Sequence, residues 1–424
     1  MSDGDMERLC AAIASGRSSA YDIELLLVSG DFSVNSQLNE VCSNGYTPLS
    51  LACKLNRAGI VHLLLQRGAT PNKPSVYYNK YPLHYACDHS DGNLDVVGML
   101  LAVGAQPNIQ DEDGNTPLHL ACTESNVSVV KTLLEAGADV KLADIDDETP
   151  LVRACFAKSV ELVDLLLKAG SDPNYPEGRP LEIVVRAPSL ESLKLLIAAG
   201  GDVSRNTYLS FASEHNYLDM MKVLRNYGAE VNGTGRLGLT ALHHACISQE
   251  STVDAVRLLL LWGSNPNLAT SAGDTPLLFA CQSFALEKVR LLLSYGADVN
   301  QADGAALSPL VAALTTRRPM RTDTSYLTLI QLLLAAGARL SAATLERLKV
   351  LIVYLQSSNS DKEELFQLLY QHTSAPSSLQ GQCRAVIRNR LPSNKDMKLQ
   401  TLPLPNSVMS FLQFSDVPGC GYTQ

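Results

Sequence analysis

Apolar residues in this chain come in short blocks at helical spacing, each broken by glycine, rather than in one sustained run. The blocks VHLLLQRGATPN (61–72), VKTLLEAGADV (130–140), VDLLLKAGSDPN (163–174) and VRLLLSYGADVN (289–300) all stop at Gly, often with Asn soon after. Ahead of each comes a second apolar block: NGYTPLSLAC, YNKYPLHYAC, DGNTPLHLAC, DDETPLVRAC, RLGLTALHHAC and AGDTPLLFAC are versions of one unit. The pattern predicts two short helices and a hairpin-like loop, copied along the chain. Aligned on the Thr position, nine copies begin at Thr47, Tyr81, Thr116, Thr149, Arg179, Thr207, Thr240, Thr275 and Ser308, spaced 28 to 35 residues apart.

The local chemistry fits that unit. Thr can cap the first helix, Pro suits the first helical position because its missing N–H has no partner there, and Gly ends the second helix where a positive φ is needed. Helices this short are marginal alone, so each buries its Leu and Ala face against the next copy, and stability becomes a nearest-neighbour sum. The segment MERLCAAIASGRSSAYDIELLLVSG (6–30) has the helical pattern without the Thr-Pro opening and reads as a cap on the first copy.

Length and charge narrow the function. At 424 residues the chain exceeds one growing core, and with 46% hydrophobic and 18% charged residues it is globular rather than disordered. A net charge of -9 disfavours nucleic acid as partner. The acidic start MSDGDMERLC and the lack of an apolar run near 18 residues predict an intracellular chain without a membrane partner, cytoplasmic with the nucleus also open to it. Ten cysteines occur, none in a CxxC pair. Six of them, Cys53, Cys87, Cys122, Cys155, Cys246 and Cys281, lie six residues after their Thr position and read as small apolar core residues. Disulfides between these copies are not expected, because stacked helices lie about 8–10 Å apart, beyond the span of a bridge.

These residues resemble the ankyrin repeat, whose TPLHxAA opening and GADVN ending are matched best over 116–140 and 275–300. The resemblance covers about residues 44–340. The copies at Arg179 (RPLEIVVRA) and Thr207 (Tyr208 in place of Pro) depart from it and are expected to be the weaker modules. Copies beginning at Tyr81, Thr240 and Ser308 are longer than the rest, the last by the stretch TTRRPMRTDTSY, which puts Arg317, Arg318 and Arg321 between two helices.

Several tempting constellations reduce to the repeat. His84, His119 and His243 each precede a Cys by three, but they are the His of TPLH, so zinc is not expected. GTGRLG (233–238) fits G-x-G-x-x-G yet lies between repeats, not between a strand and a helix. Walker, G-x-S-x-G, HExxH and zinc-type motifs are missing from the sequence. A non-enzymatic chain is expected, with no catalytic residue, cofactor or metal.

After Gly337, ATLERLKVLIVYLQ and SDKEELFQLLYQH read as two helices that cap the array, the second with a Ser360/Glu363 capping box. A Ser/Pro break then introduces SLQGQCRAVIRNRL, in which Leu379, Cys383 and Ile387 form an apolar stripe with Arg384, Arg388 and Arg390 elsewhere. The stripe is open to two fates: docking in another chain's groove, or folding back on the last repeat. This region is similar to a SOCS box, and the whole chain resembles the ankyrin-repeat and SOCS-box family. Leu379, Cys383 and Ile387 match the elongin-C-binding half of that box, and Leu402, Pro403, Leu404 and Pro405 the cullin-5-selecting half; Phe411 stands where the family often has Tyr.

The resemblance implies an all-α chain: capping helices over 1–43, an ankyrin solenoid of about nine helix pairs over 44–340, capping helices over 341–375, and a small three-helix SOCS box over 376–424. It also implies a substrate receptor that recruits elongins B and C and cullin-5 with its RING subunit, and promotes ubiquitination and degradation of a protein held by the repeats. The alternative is a scaffold that tethers partners without ubiquitination. Substrate contacts are expected at variable positions just before each Thr: Tyr46, Tyr77, Tyr78, Glu112, Asp113, Asn115, Glu148 and Arg236. That rim is aromatic first and acidic next, which suits a basic stretch on the partner.

Overall fold

The first helix of each typical copy starts where Thr and Pro place it. In the structure, a computed structural model that describes residues 3–29, 37–89, 93–304, 307–315, 324–339 and 369, all regular elements among the described residues are helices. Two compact units are separated between Asp202 and Val203.

The first unit opens with α1 (Asp3–Ala14) and α2 (Ala20–Ser29) and continues with five helix pairs. Their first helices are α3 (Pro48–Lys54), α5 (Pro82–Cys87), α7 (Pro117–Thr123), α9 (Pro150–Phe156) and α11 (Arg179–Arg186). Their second helices are α4 (Ala58–Gln66), α6 (Leu94–Ala102), α8 (Val127–Glu135), α10 (Val160–Lys168) and α12 (Leu190–Ala198). First helices pack on first helices and second on second, and α1 packs on α3 and α2 on α4. One Leu per first helix forms a continuous spine: Leu49, Leu83, Leu118, Leu151 and Leu181 are each at most 1% exposed. Each such side chain contributes about 1.5–3 kcal/mol of burial that no single pair could achieve alone.

The second unit repeats the scheme with α13 (Asn206–Glu214) and α14 (Leu218–Asn226), α15 (Ala241–Ile247) and α16 (Val253–Leu261), α17 (Pro276–Gln282) and α18 (Leu286–Ser294), and α19 (Pro309–Thr315) and α20 (Thr324–Ala335). Leu209, Leu242, Leu277 and Leu310 continue the buried pattern there.

The threonine cap forms at some copies and not at Thr149, whose side chain makes no cap hydrogen bond. The hydroxyl oxygens of Thr47 and Thr275 accept from the N–H of Ser50 (3.1 Å) and Leu278 (3.2 Å), and Pro48 and Pro276 begin their helices. The closing glycines are left-handed, with φ of 84° at Gly137 and 86° at Gly296.

Two copies differ from the expected register. At Arg179 the cap is Gly178, with φ 77°, and no side chain caps the helix. Thr207 is not a cap at all: α13 starts at Asn206 after Arg205, and Tyr208 is buried where other copies place Pro. Without Pro to define the first turn, the helix extends toward its N-terminus and Tyr208 fills core volume instead.

The six repeat cysteines are free and buried, as expected. The structure also holds a disulfide between Cys10 of α1 and Cys42 of the following loop, with Cα atoms 6.8 Å apart, a pair the helix-spacing argument did not address. No helix among the described residues is long and apolar enough to cross a membrane.

Candidate protein-interaction site

The hairpin that precedes α5 is shaped by an unusual turn. Tyr78 and Asn79 both adopt left-handed backbone, with φ 54° and 50°, and Lys80 N–H closes the turn on the Tyr77 carbonyl at 3.3 Å. A turn with two positive φ values matches the twist of a hairpin, but for a tyrosine that conformation is strained. The tip is fixed to the preceding one by a hydrogen bond from Val76 N–H to the Gly45 carbonyl (2.9 Å). Gly45 has to be glycine: its φ is +78°, and a Cβ there would lie 2.2 Å from the ring of Tyr77.

Tyr77 and Tyr78 therefore stand at one side of a groove of about 490 Å³, lined by Tyr46, Lys54, Tyr77, Tyr78, Lys80, Tyr85, Asp88 and His89. The Tyr46 ring centroid is 5.8 Å from that of Tyr77 and 5.5 Å, edge-on, from that of Tyr85, both within the range of favourable aromatic pairs. Lys54 lies 4.5 Å from the Tyr46 centroid and donates to its hydroxyl at 2.5 Å. Lys80 pairs with Asp88 at 3.2 Å. The Tyr85 hydroxyl bonds Ser75 Oγ at 2.7 Å, and burial raises its pKa, so it stays a neutral phenol.

The expected contact residues divide. Tyr46, Tyr77 and Tyr78 meet in this groove, and Glu112 and Asp113 follow on the next tip, joined to it by Glu112 N–H donating to the Tyr78 carbonyl (2.8 Å). Asn115 is held through its backbone and Glu148 through its carboxylate. Asn115 N–H donates to Asp111 Oδ1 (2.8 Å) and its carbonyl accepts from His84 Nε2 (2.8 Å), while Glu148 is within 3.6 Å of Arg153 and 3.4 Å of Arg179. Arg236 lies in the second unit, in a single 3₁₀ turn (Arg236–Gly238) ahead of α15. Leu379, Cys383, Ile387, Leu402, Pro403, Leu404 and Pro405 lie outside the described residues, as do Arg317, Arg318, Arg321 and the helices expected over 341–375, save Leu369. Lys54, Tyr85, Asp88 and His89 also line the groove; they belong to the first helices and their ends, not to the variable positions before each Thr.

The titratable residues of the repeats are engaged in structure. His84, His119 and His243 accept a backbone N–H at Nδ1 and face the next copy's carbonyl with Nε2, so each is the neutral Nε2–H tautomer. Burial pulls each down to about 4. Burial likewise pushes the Cys155 and Cys246 thiols up to about 12, which leaves no thiolate for nucleophilic work. The arrangement is suited to holding another surface.

The family comparisons agree with this geometry. Ankyrin repeats are matched over residues 44–75, 83–177, 181–270 and 233–303, more than half of the chain, and a SOCS box is matched over 375–413. The chain belongs to the ankyrin-repeat and SOCS-box family. Among curated proteins it is similar to the B-cell lymphoma 3 protein homolog of Mus musculus, 27% identical over 262 residues, which are 60% of this chain and 51% of that one. It is also similar to alpha-latrotoxin-Lhe1a of Latrodectus hesperus, 36% identical over 87 residues, 20% of this chain and 6% of the toxin. A putative ankyrin repeat protein of fowlpox virus is 33% identical over 116 residues, 27% of this chain and 33% of the viral one. The chain thus spans about half the length of the first of these relatives and less of the others. As a member of the ankyrin-repeat and SOCS-box family it carries a repeat array and a SOCS box on one chain.

Proposed function

We propose that the chain is the substrate-recognition subunit of a cullin-5 RING ubiquitin ligase. In this reading residues 44–340 hold the protein to be modified, 1–43 and 341–375 cap the array, and 376–424 form the box. Leu379, Cys383 and Ile387 insert into elongin C, which is bound to elongin B, and Leu402, Pro403, Leu404 and Pro405 select cullin-5 with its RING subunit. The observation that carries the reading is the SOCS-box match at 375–413 on the same chain as the repeats. The groove around Tyr46 and Tyr78 supports it by offering a place for a protein partner. The chain acts by proximity: it raises the local concentration of substrate lysines near a recruited conjugating enzyme and forms no covalent bond itself. The reading places the complex in the cytoplasm, with the nucleus also open to it.

Co-precipitation from cells tests it. Elongins B and C are captured by the intact chain and lost with Leu379→Asp, while thermal unfolding of the repeats is unchanged; capture that survives the substitution refutes the assignment. If deletion of 376–424 leaves partner abundance unchanged, the chain is a scaffold instead.

A further inference from the structure

We infer that the tyrosine groove and the acidic tips beside it form one site for an extended segment of a partner protein, with a large uncharged side chain in the groove and lysine or arginine following it. The inference rests on the receptor reading only in taking that partner to be the substrate.

The groove sets the anchor. Its volume of about 490 Å³ falls within the ~300–1,000 Å³ of ligand pockets, and tyrosine rings offer large contact area at little entropic cost. The Tyr85 hydroxyl is engaged by Ser75, Asp88 by Lys80 and the Tyr46 hydroxyl by Lys54, so these three groups are not free to receive a polar anchor. Lys54, 4.5 Å from the Tyr46 ring, has no acidic partner among the described residues. It repels a cationic anchor, and the side chain that enters is aromatic or aliphatic.

The tips select the charge of the partner beyond its anchor. Glu112, Asp113 and Asp146 are exposed and make no ion pair among the described residues, whereas Asp147 accepts from the Tyr175 hydroxyl. Backbone hydrogen bonds join these tips in a row beginning at Tyr78: Glu112 N–H to the Tyr78 carbonyl (2.8 Å), then Ile145 N–H to the Asp113 carbonyl (3.0 Å). Ile145, 70% exposed, adds apolar surface to the second step. The row runs from a groove whose one unpaired charge is the Lys54 cation to three spare carboxylates, which sets the order along the partner: anchor at the groove, cations toward the tips. Neighbouring copies stack about 10 Å apart and an extended chain rises about 3.3 Å per residue. The basic residues therefore fall about three and six positions from the anchor.

Fluorescence anisotropy on the full-length chain tests this with a labelled Gly/Ser dodecapeptide that carries one Trp, Lys three residues from it and Arg six residues from it. The matched control has Glu at both basic positions. At low salt the basic peptide binds roughly tenfold tighter, as expected of a few exposed ion pairs, and the preference shrinks in high salt. The triple variant E112K/D113K/D146K reverses the preference, and Tyr78→Ala weakens both peptides roughly tenfold, the loss of one interface anchor. Thermal unfolding of each variant matched to the native chain shows that it is folded. No binding, equal binding of the two peptides, or a preference that survives charge reversal overturns the proposal. Elongin capture is read on the same samples: its loss with peptide binding intact removes the receptor reading alone, and the converse removes only the partner chemistry.

Discussion

His119 Nε2 donates to the backbone carbonyl of Glu148, 3.0 Å away and one copy further on. Its Nδ1 accepts from Thr116 N–H, so one neutral imidazole closes the start of its own helix and fastens the next hairpin. His84 does the same with Asn115 and His243 with Asp274. Protonation at Nδ1 would place a donor against a donor.

Stability is therefore expected to fall with acidification. The folded pKa of each histidine is about 4, below the ordinary 6.5, so between those values the unfolded chain binds more protons. The contribution is complete above about pH 6.5 and is lost as pH falls toward 4, up to about 3 kcal/mol per histidine. Thermal melts at pH 7.5 and 5.0 measure it. Replacing all three by Gln lowers the melting temperature at pH 7.5 and flattens its pH dependence; an unchanged slope contradicts the account.

A second ladder runs along the other end of the hairpins. Asn267 donates to the Gly296 carbonyl (3.0 Å) and accepts from Asp298 N–H (2.7 Å), and Asn72, Asn108, Asn174, Asn232 and Asn300 make the same pair of bonds. Lys141 occupies the equivalent position after Gly137. Its backbone is already placed, with Lys141 N–H on Asp139 Oδ1 at 2.9 Å as Asn300 N–H is on Asp298 Oδ1. Lys141→Asn is expected to stabilise the first unit by about 1 kcal/mol, and Asn267→Ala to destabilise the second by about 1–3 kcal/mol. Denaturant midpoints check both signs.

Much of this was legible because each copy repeats the same local rules. Thr-Pro openings, closing glycines and the slot that takes Cys all landed where spacing put them. Register failed at Thr207, where the copy lacks the Pro that fixes the first turn and a buried Tyr208 decides instead. The groove was half legible: Tyr46, Tyr77 and Tyr78 precede their Thr positions, but Lys54 and Tyr85 reach it from α3 and α5, and only stacking of two copies brings them together. Glu148 shares the tip position yet its carboxylate faces Arg153 and Arg179, which spacing alone does not distinguish.

Gly45 controls the groove through Tyr77. An alanine Cβ would lie 2.2 Å from the ring at a φ of +78°, so Gly45→Ala displaces Tyr77 and strains the turn together. A loss of about 1–3 kcal/mol is expected. If the melting temperature is unchanged, Tyr77 is not held against Gly45 as described.

Lys288 carries the last prediction. The equivalent position is apolar in α8 (Val129) and α16 (Ala255) and a serine in α12 (Ser192), yet here a buried lysine, 6% exposed, donates to the carbonyls of Ala245 (2.7 Å) and Ser248 (2.8 Å). Those carbonyls end α15, where the copy beginning at Thr240 is two residues longer than the typical ones, so the cation takes the place of the bonds that the normal turn would make, with the helix dipole in its favour. Burial lowers its pKa, but two carbonyl partners and the negative end of a helix keep the charged form useful. Lys288→Met preserves the aliphatic stem and orphans both carbonyls, for an expected loss of about 2–3 kcal/mol. Amide exchange should rise first at Ser248–Thr252, and a Met variant as stable as the native chain would show that the longer turn closes without the lysine.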